Sequence, residues 1–247
     1  MNLQPHIMCG EGDINKYVLL PGDPGRVQRI GKHLKNAREI AQNRGYLTWN
    51  GEYQGVPVTV TSSGIGGPSM AIALHELRNL GARTFIRVGS CGGLGEHVKT
   101  GDVVIPIGCV RDEGTSKAYV DLSYPAIPDL ELTVVLVEAA KRLGHTFHTG
   151  INRSHDSFYI PNILEVESVW RKRNVISEDL ETAALFTISG IIGVKAGCVL
   201  NTVVAYGQKP EGGISNFVMG DPVCEKGERA SIEIALLAIE MMASGKI

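Results

Sequence analysis

Residues 62–77 read SSGIGGPSMAIALHEL and decide the fold of this chain. An alternating apolar run at residues 56–61 precedes them and predicts a β-strand, while Pro68 stands where a helix would begin. Three glycines lie between the two elements: Gly64, Gly66 and Gly67. A glycine loop between a strand and a helix brings bare backbone N–H groups to the positive end of a helix dipole. The stretch therefore predicts a place that holds an anion or a sugar.

The rest of the sequence alternates between predicted strands and predicted helices. We predict strands at residues 17–20, 56–62, 84–89, 102–110, 147–151 and 196–204. We predict helices at residues 26–34, 68–80, 129–143, 163–173, 181–192 and 227–243. Several strands are continuous Val/Ile runs, which is typical of strands covered on both faces. The pattern predicts an α/β fold with a mostly parallel or mixed sheet, helices on both sides and ligands beyond the carboxyl ends of the strands.

The composition is that of an ordinary globular protein. The 247 residues are 43% hydrophobic, and no linker rich in Ser or Pro divides them. We therefore expect a single domain over residues 1–247. The formal net charge of −2 gives no electrostatic reason to expect a nucleic acid or an anionic membrane as a partner.

The cysteines and the apolar segments favour a cytoplasmic protein without a membrane span. The five cysteines are scattered and form neither a CxxC pair nor a metal-ligand spacing, which favours reduced thiols and no metal site. Lys195 and several glycines interrupt the longest apolar region, residues 182–206, so we interpret it as a buried helix followed by a buried strand. Polar residues from His6 onward predict that no signal peptide begins the sequence.

Three arginines stand beside glycine-rich turns, namely Arg26, Arg44 and Arg87. Arginine suits a tetrahedral oxyanion because its planar fork donates two parallel hydrogen bonds. Ser90 could add a hydroxyl group, and Gly22 could add an unobstructed N–H. The combination predicts a phosphate site, and the alternative is that the arginines are solvated surface charges.

A second cluster of chemical interest is the acidic run at residues 178–181, just before a predicted helix. Asp179 there suits the capping of a helix N-terminus. Glu181 could do more, because a carboxylate can accept hydrogen bonds from both hydroxyls of a vicinal diol such as that of ribose.

The segment SHDSFY at residues 154–159 offers aromatic and acid–base groups. Phe158 or Tyr159 could stack on a flat base, and the alternative is an ordinary core aromatic. His155 beside Asp156 suggests acid–base chemistry, but neighbours in sequence often point to opposite faces, so we do not favour a catalytic His155.

Together these blocks resemble the nucleoside phosphorylase family, which includes uridine phosphorylases, hexameric purine nucleoside phosphorylases and archaeal methylthioadenosine phosphorylases. The resemblance covers nearly the whole chain, and residues 62–77 fit the family signature at every defined position. Further blocks match in the right order, namely LLPGDPGRV, NRGYLTW, FIRVGSCGGL, SHDSFY and DLETAALF.

The resemblance implies a single α/β domain around a mixed, barrel-like sheet, and a homo-oligomer, usually a hexamer built as a trimer of dimers. It implies phosphate-dependent cleavage of the glycosidic bond of a nucleoside, in nucleoside salvage, with inorganic phosphate as co-substrate and no cofactor. The resemblance also implies the phosphate ligands, with Arg44 supplied by the neighbouring subunit. These are Gly22, Arg26, Arg44, Arg87 and Ser90.

The resemblance assigns the sugar and the base to a second set of residues. Glu181 would bind the ribose hydroxyls, Leu180 would pack on the sugar, and Phe158 would contact the base. His6 would meet the 5′ end of the ribose from the neighbouring subunit. Arg87 and Glu181 are the residues that we expect to be catalytic.

Three departures from the family pattern concern the base. Purine phosphorylases carry an aspartate that helps to protonate the purine, whereas Val204 or Ala205 stands at that place here. Uridine phosphorylases carry an insertion that reads uracil with a glutamine and an arginine, and this chain lacks it after Tyr159. Asp179 stands where the family generally has glutamate.

Because loops vary more readily than catalytic acids, we favour uridine-type specificity over a purine nucleoside or methylthioadenosine phosphorylase. A nucleosidase, which uses water, is disfavoured by the three arginines. A non-catalytic nucleoside-binding relative is the other alternative.

Overall fold

Nine strands form one mixed sheet in the computed structural model, which describes residues 3–245. The first five strands are β1 (Tyr17–Leu20), β2 (Lys35–Asn43), β3 (Tyr46–Tyr53), β4 (Val56–Thr61) and β5 (Thr84–Gly93). The other four are β6 (Val103–Asp112), β7 (Phe147–His155), β8 (Val175–Asp179) and β9 (Lys195–Val204).

Eight helices cover this sheet within residues 3–245. The first four are α1 (Pro24–Gly31), α2 (Gly67–Asn79), α3 (Thr115–Tyr119) and α4 (Leu130–Leu143). The other four are α5 (Ile163–Arg171), α6 (Thr182–Ile192), α7 (Pro210–Val218) and α8 (Pro222–Ser244).

The sheet closes on itself. The strand order is β2-β3-β4-β1-β5-β8-β7-β6-β9, and β5 also pairs in parallel with β9 along nearly its whole length. Strand β5 thereby belongs to both the open part of the sheet and the closed part. This architecture confirms the predicted α/β fold with a mixed, barrel-like sheet flanked by helices.

Every predicted strand and helix is present, with shifted ends. The largest shift is at α8, which begins at Pro222 because Asp221 accepts hydrogen bonds from the backbone N–H groups of Val223 and Cys224. Gly227, predicted to begin the helix, lies inside it at a close approach to β9. An added Cβ there would come 2.1 Å from Asn201 Oδ1.

The sequence analysis missed strands β2, β3 and β8 and helices α3 and α7. Strand β2 reads KNAREIAQN and none of its residues is buried, so it lacks the apolar alternation on which strand prediction depends. The turn between β2 and β3 uses a left-handed conformation at Arg44, with φ of 49°. Strand β8 has only five residues, and two of its last three residues are acidic.

Apolar cores lie on both sides of the sheet. Helices α2 and α6 cover one core, and α4 and α8 cover the other. The apolar region at residues 182–206 forms the buried helix α6 and the buried strand β9, as predicted. No helix within residues 3–245 is both long enough and apolar enough to span a membrane. All five cysteines are unpaired thiols.

The stretch that follows β4 forms the predicted loop and helix. Gly66 caps α2 with a φ of 90°, a conformation that side chains other than glycine rarely adopt. Pro68 lies in the first turn of α2. The loop thus brings the backbone N–H of Gly66 to the sheet edge where β1, β4 and β5 end.

Candidate active site

Arg26 and Ser90 meet at the carboxyl ends of β1 and β5. Arg26 Nη2 donates a hydrogen bond of 2.8 Å to Ser90 Oγ, and Arg26 Nη1 donates one of 3.0 Å to the carbonyl of Val88. Arg26 belongs to α1, which begins at a turn where Asp23 accepts from the backbone N–H of Gly25. The PGDPG turn therefore places the arginine that follows it on the edge of β5.

Arg87 lies beside Gly22 at the same place. An added Cβ on Gly22 would come 4.0 Å from Arg87 Nη1 and 3.1 Å from the carbonyl oxygen of Gly64. The Arg87 guanidinium folds back over Gly89, where an added Cβ would lie 2.7 Å from its central carbon. The Nη1 group is buried and has no hydrogen-bond partner among residues 3–245. A buried donor of this kind, next to a glycine turn, suits an anion.

Two carboxylates hold Arg87 in this position. Its Nε donates to Asp179 at 3.0 Å, and its Nη2 donates to Glu181 at 2.5 Å. Although burial disfavours the charge, these carboxylates raise the pKa of Arg87 above its usual value. Burial also raises the pKa of Glu181. The charge of Arg87 lowers this pKa, and the charge of Asp179 raises it further. The guanidinium is therefore permanently charged and fixed in orientation.

Glu181 joins the signature loop to this cluster. The backbone N–H of Gly66 donates to Glu181 Oε1 at 2.5 Å, while Arg87 occupies Oε2. Each carboxylate oxygen can accept a further hydrogen bond, so Glu181 keeps the capacity to accept from a diol. The glycine loop thus holds a carboxylate in place with its N–H group.

Asp179 acts inside the protein rather than on a ligand surface. Its side chain is almost fully buried and accepts from Asn152, Ser154 and Thr182 as well as from Arg87. The N-cap residue of α6 is Glu181 and not Asp179, but the backbone N–H of Thr182, the first residue of α6, donates to Asp179 at 3.2 Å. The aspartate therefore fixes Arg87 and the helix together.

The sequence analysis missed Glu228, which binds Arg26 from α8. Arg26 Nε donates to Glu228, and Arg29 Nε donates to the same carboxylate at 2.8 Å. Burial lowers the pKa of Arg26, and Glu228 opposes this effect. Glu228 is the one acid among the buried residues of α8, which is mostly apolar. An acid in such a helix does not reveal its partner in the sequence.

Arg44 and His6 lie apart from this cluster. Arg44 occupies the exposed turn between β2 and β3 at one end of the sheet, and it makes no side-chain hydrogen bond or ion pair within the described chain. His6 bonds through Nδ1 to Glu76 Oε1 at 2.6 Å. Asn43 Nδ2 donates to the carbonyl of His6 at 2.9 Å, so the two outlying residues belong to one region of the surface. Their predicted action on a neighbouring subunit stays a prediction.

The remaining sequence candidates lie near the ends of β7 and β8. Leu180 and Phe158 are half-buried, and Phe158 packs edge-on against the exposed ring of Tyr159 with 4.8 Å between centroids. His155 is buried, which lowers its pKa, whereas Asp156 is exposed and accepts from the backbone N–H of Gly114. The two neighbours therefore face different surroundings, and they form no acid–base pair.

The place that the resemblance gives to a purine acid is apolar. Val204 is buried in a small cluster with Val203 and Cys224, against Ile214 and Phe217. An added Cβ on Gly213 of α7 would come 2.4 Å from Val204, so the helix lies directly on it. Val204 has no donor group to offer a departing base.

The structure thus brings together the predicted residues Gly22, Arg26, Arg87, Ser90 and Glu181. The fold and this cluster define an α/β protein that presents two fixed guanidinium groups beside a carboxylate at the ends of its strands. Within residues 3–245, no group of three or more His, Cys, Asp or Glu side chains is arranged to hold a metal ion.

The chain belongs to the phosphorylase superfamily, whose family model matches residues 16–219. It is 48% identical to a uridine phosphorylase of Thermococcus kodakarensis over 80% of this chain and 76% of that protein. It is 38% identical to a guanosine phosphorylase of Halorubrum lacusprofundi over 97% of this chain and 99% of that protein. A crystal structure of uridine phosphorylase from Vibrio fischeri superposes with a TM-score of 0.90 at 37% identity, covering 97% of this chain and 98% of that one.

Proposed function

We propose that this protein is a nucleoside phosphorylase. Inorganic phosphate attacks the anomeric carbon of a nucleoside, the glycosidic bond breaks, and the products are the free base and ribose 1-phosphate or its deoxy counterpart. The observation that carries the proposal is the buried Nη1 of Arg87, which has no hydrogen-bond partner among residues 3–245, lies beside Gly22 and belongs to the same guanidinium that binds Glu181. One side chain thereby connects an anion position with a diol position.

The geometry supports a mechanism that depends on placement and charge. As the base departs, the sugar acquires oxocarbenium character and the base acquires negative charge. A phosphate held by Arg26, Arg87 and Ser90 would stabilise the cation and act as the nucleophile. Glu181 would fix the sugar through its hydroxyls, with Leu180 packed on the ring. This reaction draws on phosphate as its co-substrate and on no organic cofactor or metal.

We favour uracil as the base. Two observations support this: the relatives named uridine phosphorylase, and the apolar surroundings of Val204, where a purine phosphorylase would need an acid. The second candidate is a 6-oxopurine nucleoside such as guanosine. The relative named guanosine phosphorylase, which matches nearly the full length of both chains, favours it.

We further propose a homo-oligomer, built of dimers into a hexamer, whose sites are shared between subunits. Arg44 and His6 support this, because they belong to one region of the surface and make no hydrogen bond or ion pair with the Arg26–Arg87 cluster within residues 3–245. In the assembly, Arg44 would reach the neighbour's phosphate and His6 would meet the 5′ end of its ribose. The five unpaired cysteines support a place in cytoplasmic nucleoside salvage.

The test is release of free base with and without inorganic phosphate. The panel comprises uridine, thymidine, inosine, guanosine, adenosine and methylthioadenosine. We expect phosphate-dependent release from uridine or from guanosine and inosine, with matching formation of a sugar phosphate. Release that proceeds equally well without phosphate would identify a hydrolase, and binding without turnover would identify a non-catalytic relative. Either result would overturn the proposal.

A further inference from the structure

A second group of charged side chains lies next to the phosphate cluster. Glu178 on β8 accepts a hydrogen bond of 2.7 Å from Arg153 Nη1 on β7, and His155 Nε2 lies 3.9 Å from the same carboxylate oxygen. Glu167 of α5 is also buried against Glu178. The resemblance assigned no function to these four residues, and the mechanism above does not use them.

Two half-buried residues of β5 connect this group with the phosphate position. Strand β5 is buried throughout except at Ser90 and Gly92, which are alternate residues and therefore share one face. Ser90 bonds to Arg26 at the phosphate end. Gly92 pairs with Glu178 across the ladder, and an added Cβ on Gly92 would lie 3.6 Å from Glu178 Cγ. Glu178 therefore lies next to Gly92, at the edge of the face that Ser90 and Gly92 share.

The residue alternation in β8 leads to the same placement. Asp179, the last residue of β8, faces Arg87, so Glu178 points to the opposite face of that strand. Leu180 follows the end of β8 and is half-buried at the predicted sugar position. Glu178 therefore lies two residues before the predicted sugar contact, on the face of β8 away from Arg87.

The chemistry of Glu178 limits what can lie against it. It forms an ion pair with Arg153, and a carboxylate only accepts hydrogen bonds. Uracil, thymine and the 6-oxopurines present a ring N–H on their Watson–Crick edge. Cytosine and adenine present an unprotonated ring nitrogen there, which would face the carboxylate as a second acceptor.

We propose that Glu178 determines base specificity by accepting a hydrogen bond from the ring N–H of an oxo base. This inference rests on the proposed phosphorylase function. The enzyme would then cleave uridine and 6-oxopurine nucleosides and reject cytidine and adenosine. Arg153 positions Glu178 from the side away from Gly92. Glu178 would thus supply a base contact in a chain that lacks the uracil-reading insertion after Tyr159. It also accounts for recognition of both a pyrimidine and a purine by one acceptor.

The carboxyl group of Glu167 lies against Glu178 from α5. Burial raises the pKa of Glu167 to about 7, and the charge of Glu178 adds to the effect while Arg153 opposes it. Burial lowers the pKa of His155, so its ring adds no positive charge beside Glu178 near neutral pH. Glu167 therefore holds a proton more readily than an exposed glutamate does.

The experiment compares kcat/KM for two pairs of nucleosides, uridine against cytidine and inosine against adenosine. In the unchanged enzyme we expect at least a hundredfold preference for the oxo member of the cleaved pair. Glu178→Gln keeps the shape but gives the side chain an amide donor, and it should reduce that preference at least tenfold. Asp112→Asn is the matched control, because Asp112 also pairs with Arg153, at 2.8 Å, but belongs to β6, which does not pair with β5.

The outcomes separate this inference from the proposed function. Phosphate-dependent cleavage with an unchanged preference in Glu178→Gln, or an equal loss of preference in Asp112→Asn, would overturn the inference alone. If Glu178→Gln fails to fold, the unchanged enzyme still decides, because comparable cleavage of adenosine and inosine, or of cytidine and uridine, contradicts an acceptor at the base. Absence of phosphate-dependent cleavage for every nucleoside would overturn the proposed function itself.

Discussion

Arg87 is the residue on which the anion position and the diol position both depend. Its three nitrogens have different surroundings, since Nε meets Asp179, Nη2 meets Glu181 and Nη1 has no protein partner among residues 3–245. Lysine would supply a charge but could not reproduce this fork. Substitutions at this position therefore separate the contribution of charge from that of geometry.

We expect Arg87→Ala to lower kcat/KM for phosphate by about 10²–10³-fold, because a charged donor to the transition state is lost. It should also reduce the free energy of unfolding by roughly 3–5 kcal/mol, since Asp179 and Glu181 lose their buried partner. Phosphate saturation kinetics and thermal unfolding measure the two effects. Arg87→Lys should recover part of the stability but little of the activity.

Arg83→Ala is the control for this comparison. Arg83 precedes β5 at its opposite end, and its side chain bonds only to the nearby carbonyls of Arg78 and Ala82 among the described residues. Its removal should leave phosphate kinetics unchanged. Normal phosphate saturation in Arg87→Ala would show that the anion binds elsewhere.

Glu181→Gln tests the sugar contact. A charge-assisted hydrogen bond to the 2′-hydroxyl would be lost, so kcat/KM for ribosides should fall about 10–100-fold and that for 2′-deoxyribosides distinctly less. The measurement is the ratio of kcat/KM for uridine and 2′-deoxyuridine, or for guanosine and 2′-deoxyguanosine. Equal losses for both sugars would assign Glu181 to holding Arg87 and not to the diol.

Helix α5 and strand β8 bring two acids together, and this contact makes stability depend on pH. Glu167 is buried next to Glu178, and its pKa is raised to about 7. A raised folded-state pKa means that the folded protein binds the proton more tightly than the unfolded chain does. Stability is therefore lost as pH rises from about 4.5, its ordinary value, through about 7.

Glu167→Gln should remove this loss. We expect the variant to be more stable than the unchanged protein at pH 8, on the order of 1–2 kcal/mol, with the difference vanishing near pH 5. Denaturant unfolding at the two pH values measures it. Glu165→Gln, on the first turn of the same helix and exposed, is the control and should show no such difference. A difference that is the same at both pH values would contradict the assignment.

The elements that apolar pattern alone defines could be predicted from the sequence, and the others could not. Strands β1, β5 and β9 contain short clusters of Val, Ile, Leu or Phe, helices α2 and α6 are rich in buried apolar residues, and α4 has an apolar face and a capping aspartate. Strand β2 is held by pairing with β3 rather than by burial, so its sequence carries no such pattern. Local pattern detects apolar burial, whereas the pairing of β2 and the polar buried residues of β8 leave no such mark.

The residues of the candidate site also fall into those that the sequence indicates and those that it does not. Glycine turns next to arginines pointed to Arg26 and Arg87, and a helix-start carboxylate pointed to Glu181. Glu228 could not be found, because 202 residues separate it from Arg26 in the sequence. Glu178 could not be assigned either, because its importance depends on the register that places it opposite Gly92.

The assembly decides whether a complete site can form, since Arg44 and His6 lie apart from Arg87 within one chain. Co-expression of Arg44→Ala and Arg87→Ala subunits should restore activity in mixed oligomers, because one site per mixed pair would contain both arginines. Each variant alone should be nearly inactive. Arg26→Ala mixed with Arg87→Ala is the control and should show no recovery, because both arginines belong to the same chain. No recovery in the first mixture would mean that Arg44 does not act on a neighbour.

The link from Gly66 through Glu181 to Arg87 has a thermodynamic consequence for the two substrates. Arg87 donates to Glu181 through Nη2 and presents Nη1 to phosphate, so an anion at Nη1 and a sugar at Glu181 act on the same guanidinium–carboxylate pair. The occupancy of one subsite should then raise the affinity of the other by the same factor in both directions. Calorimetric titration of phosphate with and without an unreactive nucleoside analogue would measure this reciprocity, and Glu181→Gln should abolish it.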